Sequence, residues 1–289
     1  MAPEMRGLVV QGGGMRGIYS AGAMRALADA GLADSFSHIF ASSSGAINAA
    51  YLMSGQTDIV AAGYADHLNK ALPFIRYWRL TKLVDIDYLV DSILKHPEFP
   101  LDVRAVINSP TILHVVVTDL HSAEAVEITS KDIAGWDASG KVFYELLRAT
   151  SALPLIYGRA VEIAGGIYVD GGVSDAIPLL RAIAAGCTDI TVVTTRNPGF
   201  RRTGKRGIKR ILGSLLLSAY SKALRRQLLN EDLLFNKTMN LLQKPDELAD
   251  KIRITWVSPS DDSRLAGRTT RGRDKLWDCA HMAREDVFR

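Results

Sequence analysis

Short runs of consecutive apolar residues alternate with longer, helically spaced ones through the first two thirds of the chain. Leu8–Gln11 and His38–Ser42 are of the first kind and are predicted to be buried strands. Each leads through a turn of small residues into an alanine-containing stretch, Ile18–Ala30 and Ser44–Met53, that reads as a helix. Gly31 and Gly55 follow as stops. Thr111–Thr118 is rich in β-branched residues and reads as a central strand, with Ala125–Thr129 as its antiparallel neighbour. Further on, the pattern predicts a helix over Phe143–Ala149 and a hairpin of Ala160–Ile163 with Ile167–Val169 across Gly165-Gly166. A helix over Ile177–Ala185 and a strand over Asp189–Thr194 follow. This alternation implies an α/β domain whose mainly parallel sheet carries helices on both faces.

Other stretches are less regular. Residues 58–95 are helical in pattern but broken by Pro73 and the aromatic cluster Phe74, Tyr77 and Trp78, a composition suited to covering the mouth of a site. Residues 199–207 are polar, basic and punctuated by glycine, and read as a linker. Beyond it the pattern predicts one long helix from Ile208 to about Leu229, a last strand over Ile252–Val257 and a final helix over Thr270–Val287. Two parts are therefore expected, a core over 1–199 and a basic, mainly helical extension over 200–289 that packs on the core or continues it.

An apolar fraction of 47% with 23% charged residues is ordinary for a globular protein, so composition alone excludes only the disordered and fibrous classes. Cys187 and Cys279 form no disulfide framework and no metal-ligand spacing, so a reducing, cytoplasmic setting without metal or cofactor is expected. The first apolar run stops at Gly12, too early for a signal peptide, and the run Leu212–Tyr220 is too short to span a membrane. Charge is the uneven quantity. Residues 1–199 carry 15 Lys and Arg against 20 Asp and Glu, whereas 200–289 carry 20 against 11. A basic third on an acidic body suggests an anionic partner.

The two strand-to-helix turns carry the candidate chemistry. In Gly12-Gly13-Gly14-Met15-Arg16-Gly17 three glycines remove every Cβ, so successive N–H groups can converge on an anion at a helix N-terminus. Arg16 is placed to hold the loop or the anion. The same residues satisfy a dinucleotide pattern as Gly12, Gly14 and Gly17. That site requires an acid at the end of the next strand, where Ala41-Ser42-Ser43-Ser44 stands instead. No Lys-Ser/Thr pair completes a P-loop. Ala41-Ser42-Ser43-Ser44-Gly45 has the small-x-Ser-x-small spacing of a nucleophile elbow, whose register selects Ser43; Gly45 is the trailing small residue. Asp170-Gly171-Gly172 places a carboxylate on a tight turn after a strand, as a candidate base. The six histidines are scattered, and His114 reads as a satisfied core residue.

Gln11 to Gly17, the Ala41–Gly45 elbow, the Ala149–Pro154 segment and Asp170-Gly171-Gly172 occur in the order and spacing of the patatin-like phospholipases, which residues 6–195 resemble. The resemblance implies a three-layer α/β/α fold with a helical, basic C-terminal extension, and a metal-independent Ser-Asp dyad without histidine. Ser43 would be the nucleophile, Asp170 the base and Gly12, Gly13 and Gly14 the oxyanion hole, with Arg16, Gly45 and Gly171 in support. The implied reaction is hydrolysis of acyl esters in phospholipids and related lipids through an acyl-enzyme. Two positions depart from the family pattern: Ala41 stands where glycine is usual, and Gln11 where aspartate is frequent. The alternatives are a carboxylesterase or thioesterase acting on soluble acyl groups, and a lipid-binding module without activity.

In the basic third, Ile208, Ile211, Leu212, Leu215, Leu216, Ala219, Leu224 and Leu228 recur near helical spacing, with Lys and Arg at both ends. Such a helix over about 205–228 suits peripheral contact with an anionic membrane, or packing on the core with its charges solvated. No motif points to nucleic acid.

Overall fold

The computed structural model describes residues 5–68, 85–97, 100–154, 156–204, 217–245, 248 and 251–289. Its centre is an eight-stranded sheet: β1 (Arg6–Val10), β2 (His38–Ser42), β3 (Ile112–Asp119), β4 (Ala125–Thr129), β5 (Val161–Ile163), β6 (Gly166–Asp170), β7 (Asp189–Val193) and β8 (Arg253–Val257). Pairing runs β5-β6-β3-β2-β1-β7-β8, with β4 also on β3. β3, β2, β1, β7 and β8 are mutually parallel; β4, β5 and β6 join antiparallel.

The helices used below are α1 (Ile18–Asp29), α2 (Ser44–Met53), α3 (Thr57–Ala62), α4 (Val103–Asn108), α5 (Ser130–Trp136), α6 (Lys141–Ser151), α7 (Leu179–Ala184), α8 (Lys222–Leu229), α9 (Glu231–Gln243) and α10 (Arg273–Val287). Alternation along the strands sorts them into layers. Leu8, Val10, Ile39 and Ala41 point to one face, covered by α1, α2, α6 and α10, while Val9 and Phe40 point to the other, against Leu179 of α7 and Phe235 and Met239 of α9. The result is the three-layer α/β/α arrangement. The methyl of Ala41 is fully buried in the first of these cores, so the fold accommodates it where glycine is usual.

Register on β3 positions the site. Val115 pairs with both Ala41 and Ile128, and Val117 with both Val126 and Asp170. β4 thus occupies one edge of β3 throughout, and the opposite edge is shared end to end by β2 and β6. β2 ends at Ser42, opposite Val116, and β6 arrives from the other direction to end at Asp170, opposite Val117.

The C-terminal third differs in part from its pattern. Residues 205–216, and with them most of the expected long helix, lie outside the described residues, as do Pro73, Phe74, Tyr77 and Trp78. What is described does not continue as one helix. A turn at Leu217–Tyr220 precedes Ser221, whose Oγ accepts from the Leu224 amide at 3.1 Å and starts α8 afresh. α8 then buries Leu224, Leu228 and Leu229 against Val169 and Val173, so its apolar face is taken by the core. Nor is 199–204 a loose tether: the Arg202 amide donates to Asn236 Oδ1 at 2.8 Å and Asn236 Nδ2 donates back to the Arg202 carbonyl at 2.9 Å. β8 extends the sheet beside β7, and α10 packs across α1.

Candidate active site

Ser43 is the hinge between β2 and α2. Its backbone sits at φ 55°, ψ −140°, a conformation rarely adopted by residues with a side chain, and this presents the hydroxyl at the tip of the turn. The turn needs close backbone approach: a Cβ on Gly45 would lie 2.5 Å from the Val10 carbonyl oxygen. The Ser43 amide donates to Thr150 Oγ1 at 2.8 Å, and that hydroxyl donates onward to the Val116 carbonyl at 2.6 Å. Thr150 therefore ties the elbow to the β3 residue beneath it. Thr150 lies in the Ala149–Pro154 segment, and no local sequence signal marks this role.

Ser43 Oγ donates to Asp170 Oδ2 at 2.9 Å. The other oxygen, Oδ1, accepts from the Gly172 amide at 2.7 Å, and the Asp170 carbonyl accepts from Thr118 Oγ1 at 2.8 Å. Gly171 is required because its backbone lies on β3, where an added Cβ would stand 2.0 Å from the Val116 oxygen. Burial pushes the Asp170 carboxyl up to about 6. The hydrogen bonds from Gly172 and Ser43 and the charges of Arg268 and Arg202 work in the opposite direction.

The glycine loop lines the same cavity as Ser43 and Asp170. Gly13 donates its amide to Ser44 Oγ at 2.9 Å, while the amides of Gly12 and Gly14 make no hydrogen bond with another described residue. The Gly13 amide thus ties the loop to the elbow. Gln11 Oε1 accepts from the Thr195 amide at 2.8 Å, and Thr195 Oγ1 donates to the Gly12 carbonyl at 2.9 Å, so the loop is also fastened to the end of β7. Arg16 is buried, and its Nε donates to Thr195 Oγ1 at 3.3 Å. The Arg16 guanidinium is pushed down to about 8; burial is the main cause, and the like charges of Arg196, Arg268 and Arg202 add to it. His114 bonds His38 at 2.8 Å and Glu127 at 2.7 Å at the other end of the strands, away from the elbow.

These groups line a cavity of about 190 Å³ with two unlike walls. One is apolar and includes Ile47, Val60, Leu68, Leu89 and Ile93. It is built by α2, α3, the helical turn Gly63–Leu68 and the stretch 86–94, so the described part of the irregular region forms a packed wall of the cavity. The other wall carries Arg16, Arg202, Glu231 and Arg268. No group of three or more His, Cys, Asp or Glu suited to a metal ion occurs among the described residues.

Comparison with known proteins agrees with this arrangement at the level of family. The family model for patatin-like phospholipases matches residues 8–183. The uncharacterised protein YjjU of Escherichia coli (strain K12) is 27% identical over 195 residues, covering 67% of this chain and 52% of its own. The crystal structure of VipD from Legionella pneumophila aligns over 99% of this chain and 66% of that one, with a TM-score of 0.48 and 14% identity. The chain spans about half the length of the curated relative it matches.

Proposed function

The chain belongs to the patatin-like phospholipase family, and from that premise we propose that it is a lipid acyl hydrolase acting through a Ser43–Asp170 dyad. The observation that carries the reading is the 2.9 Å hydrogen bond from Ser43 Oγ to Asp170 Oδ2 at the base of a cavity with an apolar wall. An ester carbonyl placed above Ser43 is attacked by its oxygen while Asp170 takes the hydroxyl proton. The carbonyl oxygen becomes an oxyanion facing the open amides of Gly12 and Gly14. Pre-aimed donors of this kind are each worth about 10²–10³ in turnover. Collapse expels the alcohol, which takes the proton from Asp170, and leaves the acyl group on Ser43. Water then repeats the sequence with Asp170 again as base, releasing the acid.

An aspartate with an ordinary value near 3.9 would be a feeble base at neutral pH; burial that lifts it to about 6 improves proton transfer and still leaves it ionised. The apolar wall suits an acyl chain. Peripheral membrane contact, the finer part of the proposal, is supported by exposed Lys222 and Arg226 on α8 and by the basic composition after residue 199. Among the described residues no helix is long and apolar enough to cross a membrane.

The test is labelling with a fluorophosphonate, an electrophile that traps an activated serine, followed by mass mapping. The expected result is a single adduct on Ser43 that is lost in Ser43→Ala and in Asp170→Asn. An adduct on another serine, or undiminished labelling of folded Asp170→Asn, would sink the dyad.

A further inference from the structure

The chemistry above leaves Arg16 unexplained. The residue is 2% exposed, its Nη1 is buried without a hydrogen-bond partner, and no carboxylate pairs with it among the described residues. An uncompensated buried guanidinium is costly unless something anionic meets it. It lines a second cavity, of about 270 Å³, together with Arg196, Arg202 and Arg268. That cavity adjoins the one above Ser43, because Arg16, Arg202 and Arg268 line both.

Two of these guanidinium groups are held by stacking. Arg196 lies 4.1 Å over the Phe200 ring and Arg202 lies 4.2 Å over Phe235. Stacking uses the face of the guanidinium and leaves the N–H edges for acceptors in its plane. Arg196 Nε is buried and unpartnered like Arg16 Nη1. The opposing carboxylates are few. Glu231 stands 3.5 Å from Arg202 Nη1, Asp232 lines the cavity beside Gly204, and Asp262 bonds the Asn197 amide group and acts on Arg196 only through its charge. Four cations face two lining carboxylates, and Asp170, in the adjoining cavity, acts on Arg202 and Arg268 only through its charge, so positive charge still remains unspent. Forked donors arriving from several directions match an anion with oxygens on all sides, which is a phosphate rather than a carboxylate.

We propose that the Arg16, Arg196, Arg202 and Arg268 cavity is a phosphate-binding subsite adjoining the nucleophile. Resting on the lipid-hydrolase reading, the phosphate is that of the lipid headgroup, held while the ester lies over Ser43 and the acyl chain runs along the apolar wall. Free phosphate has the same chemistry and is the other source.

The experiment has two arms. In the first, inorganic phosphate is titrated calorimetrically into Ser43→Ala protein, which cannot turn over. One phosphate per chain is expected, bound about tenfold or more weakly when Arg196→Gln or Arg268→Gln is added, because each removes a charge-assisted hydrogen bond. Melting curves establish that both variants are folded. In the second, wild-type hydrolysis of phosphatidylcholine vesicles is followed with added phosphate. A rise in KM at constant kcat, absent for a phosphate-free p-nitrophenyl ester, assigns the subsite to the headgroup. Phosphate binding without such competition assigns it to free phosphate. No phosphate binding, or undiminished binding in both arginine variants, overturns the subsite. Absence of any ester hydrolysis by wild type would overturn the lipid-hydrolase reading alone, since the calorimetric arm needs no activity.

Discussion

Asp170 and Asp175 sit at the two ends of one turn, and burial pushes both carboxyls up to about 6. Their company differs. Asp170, at the strand end, shares its oxygens between the Gly172 amide and the Ser43 hydroxyl and lines the cavity. Asp175, beyond the turn, accepts from Arg181 Nε at 3.1 Å, and Arg181 in turn donates to the Ala125 carbonyl and approaches Glu127 at 3.7 Å. One carboxylate faces a hydroxyl with no other base among the described residues; the other fastens α7 to the sheet. A raised carboxylate therefore reports burial, and the neighbour decides whether that burial serves chemistry.

Asp170→Asn is the strongest way to break the comparison. The expected loss in kcat/KM is on the order of 10³–10⁴-fold, by analogy with removing the base partner of other serine nucleophiles. In wild type, kcat/KM should climb as pH rises through about 6, when Asp170 becomes ionised, and this limb should vanish in the variant. Stability carries the opposite sign. A carboxyl raised in the fold favours the protonated form, so its contribution is present below the unfolded value near 3.9 and is lost as pH rises through about 6. At pH 7–8 the ionised group is a net cost, and Asp170→Asn should melt at the same or a higher temperature, gaining up to about 3 kcal/mol. A variant that is inactive and less stable at pH 8 would contradict this account.

Thr150→Val tests the support beneath the elbow. It removes both the acceptor for the Ser43 amide and the donor to Val116, so Ser43 loses its placement while both members of the dyad remain. A fall in kcat/KM of roughly 10–100-fold is expected, with fluorophosphonate labelling slowed but still confined to Ser43. Unchanged kinetics would mean that the strand ends alone set the geometry. The smallest effect is expected for Asp175→Asn, which should keep kcat/KM within about threefold of wild type and retain the limb near pH 6. A loss comparable to that of Asp170→Asn would erase the distinction between the two aspartates.

Much of this arrangement was legible in the chain. His38–Ser42, Ser44–Met53 and Ala125–Thr129 have the bounds their patterns predict, because each is a short, uninterrupted period flanked by turn residues. Ser43 and Asp170 were both singled out from local turn chemistry. Three features were not legible. The occupation of the Gly13 amide by Ser44 depends on how two loops stack. The role of Thr150 depends on which strand passes beneath α6. The break before α8 arises because Ser221 caps a new helix, a choice that helical spacing through Leu228 concealed.

The sequence by itself determined the α/β alternation, the two turns that present a glycine loop and a serine, and the carboxylate on a third turn. Each is a matter of neighbouring residues and backbone preference. Tertiary structure decided that β2 and β6 share one edge of β3, so that the strands end opposite Val116 and Val117 and Ser43, just past β2, meets Asp170 at 2.9 Å. It also brought Arg16, Arg196, Arg202 and Arg268 to one cavity from widely separated positions. Periodicity records which residues face a core. Which strand edges pair and which charges share a dry space follow only once the sheet closes around them.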